Sequence, residues 1–114
     1  MSVIIVGILA LAAVGADWRQ FRGPAGAGAA AGPAPPADIA ADRGVAWKAD
    51  LTGRGVSGPV VVGDRVIVTA SSGPHNDRLH VLAFAAADGK RLWQRTVFAT
   101  GPTHCHPKTC MAAP

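Results

Sequence analysis

Residues 57–98, SGPVVVGDRVIVTASSGPHNDRLHVLAFAAADGKRLWQRTVF, decide the fold of this chain. Short β-branched runs alternate there with turn residues, a pattern typical of a meandering antiparallel sheet. We predict four strands, at 59–62, 65–70, 78–85 and 91–98. A helical alternative is poor because glycine or proline interrupts every window of useful length. The sequence therefore predicts an all-β fold.

The predicted turns fix the order of these strands. Gly63-Asp64 suits a tight hairpin between the first two strands, because glycine takes a positive φ at low cost. Asp88-Gly89 supplies a turn between the last two strands, and a polar loop at 71–77 joins the middle pair. We therefore expect each strand to pair with the next one along the chain.

Strands two and three carry apolar residues on both faces. In strand two, Val66 and Val68 share one face, and Ile67 lies on the other. A sheet that is apolar on both faces needs a neighbour on each side. The unit also has the length of about 40 to 45 residues that is typical of one four-stranded propeller blade. Propeller blades stack face to face, so the pattern favours an antiparallel blade.

Three stretches of residues 57–98 resemble the repeat of pyrroloquinoline-quinone-like, or quinoprotein-like, β-propellers. They are SGPVVVGDRVIVT, LHVLAF and DGKRLW. The usual last turn of that repeat is Ala-x-Asp-x-x-Thr-Gly-Lys-x-x-Trp. Four positions keep this register: Ala83, Gly89, Lys90 and Trp93. Ala85 and Asp88 replace the usual aspartate and threonine. The resemblance implies that Trp93, Trp47 and Gly89 take part in docking between blades.

Two further segments resemble parts of exported members of the same family. Residues 45–51, VAWKADL, resemble the outermost strand of another blade, and residues 17–24, DWRQFRGP, resemble the lead-in. One blade and one stray strand do not close a ring of about four to eight blades. We therefore expect an incomplete β-propeller, the N-terminal fragment of an exported protein.

The first residues have the pattern of a signal peptide. Residues 3–14 form an apolar run that only Gly7 interrupts, and small residues precede Asp17, so we predict cleavage after Ala16. The run falls short of the roughly 20 residues that cross a bilayer. We expect no stable membrane span after cleavage and a location in the periplasm, at the cell surface or outside the cell.

These patterns divide the chain into five segments. They are a signal peptide at 1–16, a lead-in and Gly/Ala/Pro-rich flexible segment at 17–44, the outer strand of a closing blade with its loop at 45–56, the first complete blade at 57–98, and an inter-blade loop with the start of the next blade at 99–114. Segment 23–41 has too few large apolar side chains to offset the entropy of ordering its backbone. Trp18 and Phe21 are its only candidate anchors.

The charge pattern argues against nucleic-acid binding. Lys and Arg outnumber Asp and Glu by 11 to 7, for a net charge of +4. The basic residues are scattered along the chain, whereas nucleic acids require clustered cations that displace counterions. We therefore expect a protein partner, or further blades of a longer chain.

Residues 104–110, HCHPKTC, hold both cysteines and two of the four histidines. His104, Cys105, His106 and Cys110 are candidate ligands for zinc or copper. A disulfide between Cys105 and Cys110 is favoured over the metal in an oxidising compartment, and free or structural thiols are the third alternative. His80 lies within a strand, where a packed histidine is the preferred interpretation.

The leading functional hypothesis is a noncatalytic scaffold that binds a protein or a ligand, and no catalytic residue is predicted. One alternative is a quinone-dependent dehydrogenase. The resemblance implies pyrroloquinoline quinone and calcium for such an enzyme, and only in a full-length propeller. The other alternative is a metal-binding or redox site at residues 104–110. The sequence leaves substrate and partner open.

Overall fold

The structure is a computed structural model, and it describes residues 17–32, 34, 37–40, 43–55, 57–109 and 111. The predicted signal peptide at 1–16 lies outside the described residues. So do Cys110 and residues 112–114, where the start of a further strand is predicted.

Residues 60–98 form one antiparallel sheet of four strands. The strands are β1 (Val60–Val62), β2 (Arg65–Ser72), β3 (Arg78–Ala85) and β4 (Arg91–Phe98), and they pair in the order β1-β2-β3-β4. The all-β prediction and the predicted strand order are confirmed, and the bounds of β3 and β4 are those predicted. The sheet has the architecture of a single propeller blade.

The first two strands depart from their predicted bounds. β1 begins at Val60, one residue after Pro59, which has no backbone N–H to donate to a ladder. β2 continues to Ser72, two residues beyond the predicted end. Backbone bonds hold this extension on both sides, because Ser71 exchanges bonds of 2.7 and 2.8 Å with Arg54 and Ser72 pairs with Arg78. Gly73, at φ 91°, then turns the chain.

The register of the strands gives the sheet two faces of different exposure. We name one the covered face, formed by Val68, Ala70, His80, Leu82, Phe84, Gln94 and Thr96. We name the other the open face, formed by Ile67, Thr69, Leu79, Val81, Ala83, Trp93, Arg95 and Val97. Both faces are apolar in β2 and β3, as the sequence predicts.

Residues 45–55, here called the covering segment, lie across the covered face. Trp47 and Ala49 pack against a buried cluster of Ala70, Leu82 and Phe84. Leu82 is fully buried. The segment is not itself assigned as a strand, so its predicted role as the outer strand of another blade stays a prediction. It gives the sheet the neighbour that its first apolar face requires.

The lead-in closes the outer edge of β1. Trp18 exchanges two backbone hydrogen bonds of 2.8 Å with Val61. A short 3₁₀ helix, Pro24–Gly26, follows, and Gly28 donates to the carbonyl oxygen of Arg22 at 2.7 Å. Of the two predicted anchors, Trp18 is partly buried and Phe21 is 73% exposed. We name residues 17–28 the edge strap.

Candidate functional site

The indole ring of Trp47 lies directly on Gly89. A methyl group built on Gly89 would overlap the ring, and Gly89 has φ 74°, where only glycine is unstrained. Trp47 Nε1 donates to the carbonyl oxygen of Ala86 at 2.8 Å, and the ring centroid lies 6.4 Å from that of Phe84. The turn after β3 thus forms a binding site for the Trp47 side chain, here called the seat, which consists of Gly89 and Ala86. The indole ring packs against Gly89 and donates one hydrogen bond to Ala86.

A second seat of the same kind lies in the edge strap. Gly23 is buried at φ 71°, and a methyl group on it would overlap the Trp18 ring. Gln20 Nε2 donates to the Gly23 carbonyl oxygen at 3.0 Å. Trp18 and Gly23 both belong to the edge strap, so this contact folds the strap on itself, whereas the contact of Trp47 with Gly89 joins the covering segment to the sheet.

Trp93 lies away from both seats. It pairs with Ala83 in the register of β3 and β4, and Ala83 and Phe84 point to opposite faces. Trp93 therefore lies on the open face and Trp47 on the covered face. Trp93 is 38% exposed, and Leu92 beside it is 45% exposed. Of the three residues that the resemblance assigns to docking, the structure brings Trp47 and Gly89 together and leaves the Trp93 side chain partly exposed.

The open face carries two apolar grooves. The larger, of about 510 Å³, lies between the edge strap and β2. Its walls include Trp18, Phe21, Pro59, Val60 and Ile67. The smaller, of about 340 Å³, lies where Met111 approaches Leu79, Val81 and Val97. Val97 is 60% exposed. This face therefore offers apolar surface that the described residues only partly cover.

His80 is the centre of a polar cluster within the covered face. The side chain is buried, and hydrogen bonds join its Nε2 to Ser72 Oγ (2.6 Å) and its Nδ1 to Thr96 Oγ1 (2.9 Å). Gln94 adds a longer contact of 3.4 Å to Nδ1, and its Oε1 accepts a bond from Thr52 Oγ1 at 3.0 Å. Both ring nitrogens are thus satisfied, which supports a structural role for this histidine.

Arg54 joins the covering segment to the loop after β4. Its guanidinium donates to the carbonyl oxygens of Pro107 (2.9 Å) and Thr109 (2.5 Å). The flanking glycines, Gly53 and Gly55, lie so close to the β2 backbone that a side chain at either would overlap it. The Gly-Arg-Gly triplet therefore brings one cation to the sheet and fixes the 107–109 loop against it.

The candidate ligands of residues 104–110 are only partly assembled. Cys105 and His104 line a small polar pocket of about 180 Å³ together with His75, and Asn76 Nδ2 lies 3.6 Å from Cys105 Sγ. His106 Nδ1 instead accepts a bond from the backbone N–H of Lys108 at 3.1 Å. Within the described part of the chain, no three His, Cys, Asp or Glu side chains are grouped closely enough to hold a metal ion.

The cysteine predictions therefore stay predictions. Cys110 lies outside the described residues, and neither its pairing with Cys105 nor a shared metal is tested. The structure adds His75, from the β2–β3 loop, to the pocket that His104 and Cys105 line. Sequence spacing does not reveal this neighbour, since it lies about thirty residues earlier along the chain.

Asp17 is the acidic residue that joins the edge strap to the β1–β2 turn. Its Oδ1 accepts the backbone N–H of Gly63 at 2.8 Å, and its Oδ2 accepts bonds from Arg19 at 2.6 and 2.9 Å. The Gly63 bond first, and then Arg19, hold the pKa of Asp17 below its usual 3.8. This carboxylate ties the first residue of the edge strap to the β1–β2 turn.

Comparison with known proteins places this geometry in a family. A family model described as outer membrane protein assembly factor BamB matches residues 38–108, more than half of the chain. The chain belongs to this family of pyrroloquinoline-quinone-like repeat proteins. No significant match to a curated protein or to a solved structure was found.

The BamB-family match begins before the covering segment and ends in the loop that Arg54 holds. It therefore includes both partners of the seat, Trp47 and Gly89. The edge strap lies outside the matched residues. No helix in the described ranges has the length and apolar character to cross a membrane.

Several residues that organise this BamB-family sheet escape sequence reasoning. Arg54 has a signal, because glycines on both sides of one arginine mark a close backbone approach. The hydrogen-bond partners of His80 have none, since Ser72, Gln94 and Thr96 reach it only through the register of three strands. The Asp88-Gly89 turn can be recognised in the sequence, but Trp47, which packs on Gly89, lies some forty residues upstream.

Proposed function

We propose that this chain contributes a blade to an exported, noncatalytic β-propeller scaffold that binds a protein partner. The observation that carries the proposal is the seat of Trp47 on Gly89, together with an open face that displays a second tryptophan, Trp93. The covering segment is one neighbour of the sheet, and the open face offers apolar surface for a second neighbour. Membership of the BamB family supports the same conclusion.

Blade docking is the first part of this proposal. Residues 46–48, Ala-Trp-Lys, align with residues 92–94, Leu-Trp-Gln, around the two tryptophans. Trp47 lies on the glycine of a turn in the sheet that it covers. We expect Trp93 to take the same position on a neighbouring sheet that covers the open face. A further blade would then bury Leu79, Val81 and Val97.

Partner binding is the second part. The family description names an outer membrane protein assembly factor, and we extend that role to this chain. We propose a location outside the cytoplasm and a partner that is itself a membrane-assembly protein. Loops and edges left uncovered by stacked blades are the surfaces available to such a partner.

The alternative is a quinone-dependent dehydrogenase, whose quinone and calcium would be bound only in a full-length propeller. Cys105 and Cys110 are five positions apart, whereas the resembling enzymes place adjacent cysteines against the quinone. We derive no reaction step for this chain.

Site-specific photo-crosslinking tests the scaffold function. A benzophenone amino acid replaces Phe98, which is 67% exposed at the end of β4, in the full-length protein expressed in its own host. We expect one or a few discrete crosslinked proteins from the compartment outside the cytoplasm. The same amino acid at Lys48, an exposed residue of the covering segment, is the matched control and should give none of them.

Two outcomes would contradict the proposal. One is crosslinking at Phe98 that yields no discrete product although the protein is exported and folded. The other is oxidation of an alcohol by the purified protein after addition of pyrroloquinoline quinone and calcium. The second result would replace the scaffold with an enzyme.

A further inference from the structure

The two outer edges of the sheet are treated differently by the chain. On the β1 side, Trp18 pairs with Val61, and Arg54 pairs with Ser71 beyond the end of β1. On the other side, β4 pairs with β3, and no described residue pairs with its outer edge. Within the described ranges, the outer-edge backbone groups of the eight-residue strand Arg91–Phe98 therefore have no strand partner.

The exposed edge is cationic. β3 and β4 contain no acidic residue, and the three charged side chains in them are Arg78, Arg91 and Arg95. The ion pairs within the described ranges are formed by Arg19, Arg43 and Arg65 instead. Arg91 contacts Gln94 at 3.2 Å, whereas Arg95 is exposed and without a partner among the described residues. An exposed strand with free cations attracts a strand that carries carboxylates.

The positions of the side chains specify the sequence of that strand. Trp93, Arg95 and Val97 alternate along β4 and so share the open face, as an apolar, a cationic and an apolar residue. A strand paired next to β4 places residues directly opposite these three, about 5 Å away. The complementary pattern is therefore apolar-x-acidic-x-apolar, with the carboxylate opposite Arg95.

We propose that the β4 edge binds an extended acidic-apolar segment of a partner protein by β-strand addition. This inference rests on the proposed scaffold function and names the chemistry of its partner. Main-chain hydrogen bonds to β4 provide the affinity, and Trp93, Arg95 and Val97 provide the specificity. A second copy of the chain is a poor occupant where antiparallel pairing of β4 centres on Arg95, because that pairing sets the two Arg95 side chains opposite each other.

Synthetic peptides test this inference on the full chain at concentrations where it is monomeric. The probe is the fluorescent, end-blocked heptapeptide Thr-Val-Thr-Glu-Thr-Val-Thr, and the control has Lys in place of Glu. Fluorescence anisotropy should show binding of the Glu peptide that is about fivefold tighter or more than that of the Lys peptide. Equal binding of the two peptides, or no binding of the Glu peptide, overturns the inference.

Two variants locate the site. Arg95→Glu should invert the preference, so that the Lys peptide binds more tightly, while Arg95→Lys should retain the original order. Arg43→Glu makes the same change in net charge in an exposed residue outside the sheet and should leave the preference unchanged. Far-ultraviolet circular dichroism confirms that each variant is folded. An unchanged preference in folded Arg95→Glu contradicts the proposed site.

Two N-methylated forms of the Glu peptide test the binding mode. Methyl groups on alternate amides, in one phase or the other, remove the N–H groups along one edge of the peptide. Strand addition requires that one phase abolishes binding and that the other retains it. Binding of both forms, or of neither, is incompatible with an edge-to-edge pairing. If the peptides fail while Phe98 still crosslinks to a partner, the edge inference falls and the scaffold function stands.

Discussion

Gly89 is the residue on which the docking of the covering segment depends. Gly89→Ala adds a methyl group at φ 74° that overlaps the Trp47 ring, so both backbone strain and displacement of the ring act. We expect a loss of roughly 3 kcal/mol in the free energy of unfolding, measured by urea denaturation.

Gly63 provides a matched control for this substitution. It also has a positive φ, 58°, but a methyl group there meets no atom within 4 Å. Gly63→Ala should therefore cost only the strain of the backbone, about 1–2 kcal/mol. If both variants lose the same free energy of unfolding, the contact between Trp47 and Gly89 contributes nothing to stability.

Thr96 tests the structural interpretation of His80. Thr96→Val removes the hydroxyl group that lies 2.9 Å from Nδ1 and leaves a buried ring nitrogen without its closest partner. We expect a loss of about 1–2 kcal/mol in the free energy of unfolding. Thr100→Val, at an exposed position after β4, is the control and should change stability little. A neutral effect of Thr96→Val would show that the cluster does not stabilise the sheet.

The sequence predicts the face on which a strand residue lies, but it does not predict which distant residue that side chain contacts. The pattern of 57–98 assigns the inward and outward residues of β2 and β3, because side chains alternate along a strand. It does not assign Trp47 to Gly89 or Thr96 to His80. These pairs lie sixteen or more residues apart, and only the docking of the covering segment and the strand register bring them together.

Among the elements of the fold, the edge strap is attached to the β1–β2 turn through Asp17, the first residue after the predicted cleavage site. Asp17→Asn keeps an oxygen for the Gly63 N–H but loses the charge that Arg19 and this bond stabilise. Because the pKa of Asp17 is lowered, its contribution to stability is present above 3.8 and is lost as the pH falls through the folded-state value.

Urea unfolding across a pH series measures this contribution. The wild-type chain should be more stable than Asp17→Asn at neutral pH, and the difference should shrink as the pH falls below 3.8 and through the folded-state pKa of Asp17. Asp38→Asn, which removes an exposed carboxylate paired with Arg43, is the control at neutral pH and should change stability little. A constant difference between wild type and Asp17→Asn at all pH values would exclude an electrostatic role for Asp17.

The elements themselves were predicted unevenly. β3 and β4 match their predicted bounds because charged or glycine-containing turns delimit them. β2 runs two residues past its prediction because Arg54 pairs with its end. The glycines beside Arg54 mark a close backbone approach, but they do not identify the strand that it approaches. In the glycine-rich stretch at 23–28, Gly23 and Gly28 contact Trp18 and Arg22, while the predicted flexibility of this segment stays a prediction.

At the scale of the whole molecule, export is a prediction that one mass measurement checks. Protein recovered from outside the cytoplasm of its host should begin at Asp17, because cleavage is predicted after Ala16. An intact mass that includes residues 1–16 would contradict the signal peptide. Processing would also place a new amino terminus beside the β1–β2 turn, where Asp17 bonds to Gly63.

The central claim is that the sheet is a blade that needs a neighbour on its open face. Sedimentation velocity of the chain over a range of concentrations measures whether the open face drives self-association. We expect the wild type to self-associate as concentration rises, because Trp93 and Val97 expose apolar surface, and a Trp93→Ser, Val97→Ser variant to remain monomeric. A wild type that stays monomeric and soluble at every concentration, with the same behaviour as the variant, would contradict the claim.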